Sequence, residues 1–119
     1  MANPISVNDT LQRLDTLSGQ QITVYGKLSL DFEGTCLSHI PKSECHHDDG
    51  GQYPSSIWID FDLEQIGQRE QWLDQFDWRH VAIDGIISGP DVGYDGCGHF
   101  SMWPAEITAT AVRKHNHFD

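Results

Sequence analysis

This chain is short of basic residues. Seven Lys and Arg stand against eighteen Asp and Glu in 119 residues, a formal charge of −11 with His neutral. A protein that holds a phosphate backbone must neutralise it with Lys and Arg, so this balance argues against nucleic acid as a partner. Cysteine is sparse too: Cys36, Cys45 and Cys97 are too few and too scattered for a disulfide framework, which leaves an apolar core in a reducing compartment to hold the fold. No run approaches the roughly 18 apolar residues of a membrane span, and MANPISVND carries neither a basic nor an apolar leader region. The expectation is a soluble, cytoplasmic protein with no membrane partner.

What is present suits one domain over residues 1–119, with 38% hydrophobic and 10% aromatic residues and a polar tail from about residue 113. Ser6 can cap a helix over residues 7–17 on which Val7, Leu11, Leu14 and Leu17 are spaced four, three and three apart, with Gly19 beyond its end. From Ile22 the period becomes two. Ile22, Val24, Gly26, Leu28, Leu30 and Phe32 fall on one face, and Thr23, Tyr25, Lys27, Ser29, Asp31 and Glu33 on the other. Gly26 marks the place where such a strand can bend. Gly34 offers a turn into residues 35–40, and PKSECHHDDGGQYPSS, residues 41–56, reads as a long exposed loop. A strand follows at residues 57–61, with Ile57, Ile59 and Phe61 inward and Trp58, Asp60 and Asp62 outward. Leu63, Ile66, Leu73 and Phe76 mark a helix capped by Asp62, although Gly67 within it costs about 1 kcal/mol relative to alanine. Val81, Ile83, Gly85 and Ile87 form a further strand, SGPDVGYDGCG at 88–98 a glycine-rich loop, and a last strand runs from about Phe100 to Val112 with an interruption near Pro104.

Two stretches, GQQITVYGKLSL and WRHVAIDGIISG, both alternate up to a glycine, which puts the same bend in two long strands. Five strands with a helix between the third and fourth follow the order of the OB fold: a mainly β, five-stranded Greek-key barrel with an N-terminal helix. The succession SVNDTLQRLDTLSGQQITVYGKLSLDFEG, SSIWIDF, HVAIDGIISG and GHFSMWPAEI resembles a group of small bacterial single-domain proteins on an OB-like barrel. Some members of that group look like immunity proteins that neutralise a toxin delivered between competing bacteria. The resemblance implies a fold and a cytoplasmic protein partner. The loop ECHHDDGGQYP and the segment YDGCGHF depart from the group's pattern.

Candidate chemistry concentrates in the two loops. Cys45, His46, His47, Cys97 and His99 are competent zinc ligands, yet no CxxC or HxxxH pair frames them, so no metal or cofactor is expected. The pairs Cys36 with His39 and Cys97 with His99 lack the electropositive setting that activates a thiol, and no enzyme is expected. Charge is the stronger signal: between Lys42 and Arg69 lie Glu44, Asp48, Asp49, Asp60, Asp62 and Glu64 with no Lys or Arg among them. Aromatic side chains set among charges are what protein interfaces use. The candidate partner-binding residues are therefore Tyr25, Asp31, Glu33, Trp58, Asp60, Asp62, Tyr94 and Asp95. The reading that follows is an immunity protein that neutralises a cognate toxin through these acidic and aromatic contacts, a basic nuclease being the toxin class that the charge suits. The alternative is an OB module that binds a small ligand or metal between the 41–56 and 88–98 loops.

Overall fold

In a computed structural model the described residues are 3–31, 34–46, 53–90, 96–98 and 102–115. Ser6 caps the first helix as its sequence implies, its hydroxyl accepting from the Asp9 amide at 3.1 Å. The helix is not continuous. It divides into α1 (Val7–Gln12) and α2 (Leu14–Leu17), with Arg13 between them outside helical geometry. The leucine spacing explains the break: each step of three residues falls roughly 60° short of a full turn, so an unbroken helix would swing Leu17 off the face that Val7 buries. Redirecting the chain at Arg13 leaves both Val7 and Leu17 in the core.

The rest is mainly β. A short strand β1 (Ile5–Ser6) precedes α1, and β2 (Gln21–Asp31), β3 (Gly34–Ser38), β4 (Ser56–Phe61), β5 (His80–Ser88) and β6 (Glu106–Lys114) follow. Their pairings run β1-β2-β3-β4-β6-β5, and β5 pairs back onto β2, so five of the six strands form a ring of hydrogen-bonded neighbours. Contacts around the ring are antiparallel except between β4 and β6, which run parallel. The sixth strand, β1, lies parallel to β2 at Val24 and Tyr25 and was not expected from sequence, because two residues carry no readable alternation.

Alternation decides which residues fill the ring. Val24, Leu28, Leu37, Ile57, Ile83, Ile87 and Ile107 are all fully buried. Two glycines let the strands come close enough to close it. A Cβ on Gly26 would stand 2.8 Å from Leu37 Cγ, and one on Gly85 would run into the Thr108 carbonyl beside an irregularity in the β5–β6 register.

The helix expected to span Leu63 to Phe76 is corrected. Asp62 does cap it, but only one turn forms, α3 (Leu63–Ile66), which Gly67 ends in a left-handed conformation at φ 76°. A 3-10 helix, Glu70–Phe76, then buries Leu73 and Phe76. The last strand is also shorter than expected. Pro104 cannot donate to a ladder, so β6 starts at Glu106, and Cys97 and Trp103 form a separate antiparallel bridge. Among the described residues no helix is long and apolar enough to cross a membrane.

Backbone contact, unlike side-chain contact, cannot be relieved by a rotamer change. Gly85→Ala is therefore expected to lower unfolding free energy by about 2 kcal/mol or more in a denaturant titration. Gly34→Ala, whose Cβ would meet Trp103 at an ordinary 3.8 Å, is expected to stay within about 0.5 kcal/mol of the parent.

Candidate functional site

The outer surface of β2 and β3 forms the floor of a groove of about 610 Å³. Strand register sets that floor. Lys27 pairs with Ser38 on one side and His80 on the other, Ser38 pairs with Ser56, and Ser29 pairs with Cys36. Because alternate residues share a face, Lys27, Ser29, Cys36 and Ser38 all point outward while Leu28 and Leu37 point in.

One wall is the segment after β3, which from Pro41 onward the sequence suggested would be an exposed loop. His39, just before it, is 4% exposed. Its Nδ1 accepts from the Asn8 amide at 3.1 Å and its Nε2 lies 3.0 Å from Glu44 Oε1. With Nδ1 accepting from an amide N–H, the ring proton lies on Nε2, which donates to Glu44. The His39 amide donates to the Ser55 carbonyl, the His46 amide donates to Ser55 Oγ, and the Cys45 thiol donates to the His39 carbonyl. These bonds hold Lys42, Cys45 and His46 along the groove.

Trp78 stands at the opposite end. The backbone of residues 77–79 completes the edge of β2 beyond its ladder with β5: the Trp78 amide donates to the Leu28 carbonyl, the Leu28 amide to the Arg79 carbonyl, and the Leu30 amide to Asp77 Oδ1. Making all three bonds puts Trp78 at φ 63°, the left-handed region that bulky residues avoid, and turns its indole outward, 62% exposed. The Lys27 ammonium sits 4.5 Å from the ring centroid, at cation–π distance.

Tyr53 forms the third side. Its ring stacks on Trp103 at 4.7 Å, and Trp103 in turn lies 4.8 Å from Trp58. Trp58 is thus on the outer face of β4, as its alternation implies, but half-buried against Trp103 and under Gly98, where any Cβ would strike the indole. Trp103 is 3% exposed. The two tryptophans make a small second core outside the ring.

The other expected contact residues are spread apart. Tyr25 is half-buried and stacks on His115 at 4.8 Å, and burial first, then Asp9 and Glu44, push its phenol above the usual value. Asp31 is exposed at the end of β2 and accepts from Ser29, Asp60 is exposed on β4, and Asp62 is committed to capping α3. Glu33, Tyr94, Asp95, His47 and His99 lie outside the described residues. Cys45 and His46 line the groove while Cys97 pairs with Trp103, and among the described residues no three His, Cys, Asp or Glu side chains gather as a metal-ligand set. The groove draws on the 41–56 segment of the ligand-binding alternative, but its described lining includes nothing from 88–98.

Sequence reasoning did not single out Trp78, His80 or Lys42. The available signal for Trp78 was its place in DWRH, a tryptophan between a helix and a strand with no alternating partner. No protein-family model and no curated protein matches this chain.

Burial pushes the Cys36 thiol up, against the opposing influence of the neighbouring Ser56 and Ser38 hydroxyls, and burial likewise raises Cys45. A thiol raised in the folded state stabilises the protein below the unfolded-state pKa, about 8.5, and that contribution is lost as pH rises beyond it. Melting temperature is expected to fall as pH is raised from 8 to 10. The fall should be shallower in Cys36→Ala.

Proposed function

We propose that this chain is a non-catalytic binding protein on an OB-like barrel, and that its binding site is the groove between Trp78, the β2–β3 floor and the 39–46 wall. The barrel reading is supported by the ring of five strands, whose order from β2 onward is first, second, third, fifth, fourth, with the third and fifth parallel. The non-catalytic reading is supported by the thiols, which burial keeps protonated, and by His39, both of whose ring nitrogens are engaged.

One observation carries the site. A left-handed tryptophan costs about 1 kcal/mol or more over glycine. The backbone bonds of residues 77–79 require that conformation, but they do not require an indole there. A glycine would make the same bonds without strain, so the indole is held there by its own contacts, its partial burial and the Lys27 ammonium over its ring. What the indole adds is a flat apolar face at the mouth of a groove.

A second reading keeps the immunity protein that the sequence resemblance implies, acting in the cytoplasm on a basic toxin. It is favoured by Asp60, Glu64, Glu70 and Asp74, all exposed and none in an ion pair with another described residue. Such unopposed carboxylates steer a basic partner.

Variants separate the two. Trp78→Gly relieves the left-handed strain but gives up the indole's partial burial, so it is expected to stay within about 1 kcal/mol of the parent, and in a protein-observed NMR fragment screen it should lose the hits that shift the Lys27 and Ser38 amides of the parent. Hits that persist in Trp78→Gly would defeat the groove reading. The toxin reading expects protection when the chain is co-expressed with the C-terminal domain of a large secreted protein encoded immediately upstream. Protection should be lost in Asp60→Lys combined with Glu64→Lys and kept in Trp78→Gly.

A further inference from the structure

We infer that the groove selects a small aromatic anion: one planar ring carrying a single carboxylate or phosphate. The inference rests on the groove being the binding site and adds the chemistry of its occupant. The chain carries −11 charge, yet two of its seven Lys and Arg, Lys27 and Lys42, line this one groove together with His46 and His80. No Asp or Glu is among its described lining residues. The groove thus gathers cationic groups that the chain as a whole has few of.

The two parts of the ligand have separate receptors. The Lys27 ammonium lies over one face of the Trp78 indole, 4.5 Å from its centre, so a ligand ring that packs on the exposed indole brings its own charged group close to that ammonium. Ser38, paired with Lys27 on the floor, supplies a hydroxyl donor for an oxygen of a carboxylate or phosphate, while the Ser29 hydroxyl is already given to Asp31. A neutral ring would use only the first receptor, and an inorganic anion only the second.

The surroundings limit the ligand to one charge cluster. Glu44, its side chain 64% exposed, is bonded to His39 of the wall, and Asp31 accepts from Ser29 at the end of the floor. A nucleic-acid strand leaving the groove would carry successive phosphates past these carboxylates and over an acidic surface, which opposes it at each step. A single anion held at Lys27 faces that opposition once. The volume of about 610 Å³ also lies within the range of small-molecule sites, roughly 300 to 1,000 Å³.

The test uses the whole chain and four probes: benzoate, phenyl phosphate, neutral benzamide and a ten-residue oligothymidylate. Each is titrated at low salt while amide shifts of Lys27 and Ser38 and the Trp78 indole N–H are followed. Benzoate or phenyl phosphate is expected to bind about tenfold or more tighter than benzamide, and the tighter of the two identifies the anionic group. Lys27→Met should bring the anions to the benzamide level without changing benzamide itself. If Lys27→Met melts lower than the parent, Lys42→Met, at an exposed position, serves instead and should weaken the anions about threefold. Equal binding of anions and benzamide, insensitive to both lysine variants, would overturn the anion inference and leave the groove as the site. Oligothymidylate binding tighter than phenyl phosphate would overturn it in favour of a nucleic-acid strand. If no ring probe shifts these signals, the inference and the groove reading fall together.

Discussion

The double use of β2 is the constraint on which the remaining structure depends. One edge of this strand pairs with β5 from Gln21 to Lys27, and the other takes β1 at Val24 and Tyr25 and then β3 from Lys27 to Asp31. Lys27 is the residue where both ladders meet, and Gly26 precedes it. The Ser38 carbonyl and Leu37 side chain occupy the space that a Cβ at Gly26 would need, so the missing side chain lets β3 approach where both ladders meet. Pairing β3 and β5 to the same strand is what lets the five strands form a ring. Gly85 makes the matching close approach against Thr108 on β6.

The same arrangement produces the groove. β2 outlasts its pairing with β5, so its last polar groups on that edge need partners, and residues 77–79 supply them with two backbone groups and the Asp77 carboxylate. That solution places residue 78 in a left-handed conformation and aims its side chain away from the core. On the other edge, β3 leads into a wall tied to α1 through Asn8 and His39 and to the start of β4 through Ser55. Floor, wall and Trp78 are therefore consequences of how one long strand satisfies both of its edges.

Net charge describes this molecule poorly at the scale of a site. Eighteen side-chain carboxylates make the whole acidic, but on the outward β2–β3 surface only Asp31, at the strand end, is one of them among the described residues, and Lys27 lies among serines. An anion there interacts first with charges a few ångströms away, and at physiological salt the carboxylates beyond about 8 Å are largely screened. The long-range field still matters for an extended partner, which samples many surfaces at once.

Local pattern was enough to read much of this protein. The Ser6 cap, the alternation that buries Val24, Leu28, Ile83 and Ile107, the special role of Gly26 and Gly85 within their strands, and the Asp62 cap all follow from residue type and spacing over a few positions. Periodicity also placed Trp58 on the outer face of its strand. What alternation could not supply was the layer above that face, where Gly98 and Trp103 cover the indole from across the sequence. It could not reveal that His39 is buried, because its partners Asn8 and Glu44 belong to different elements. Nor could it reveal that Lys27, Lys42, Tyr53, Trp78 and His80 share one groove, since they are separated by as many as 53 positions and only the two ladders on β2 bring them together. Period and capping are properties of neighbours along the chain, whereas a site is a property of neighbours in space, and here the closing of the ring is what turns one into the other.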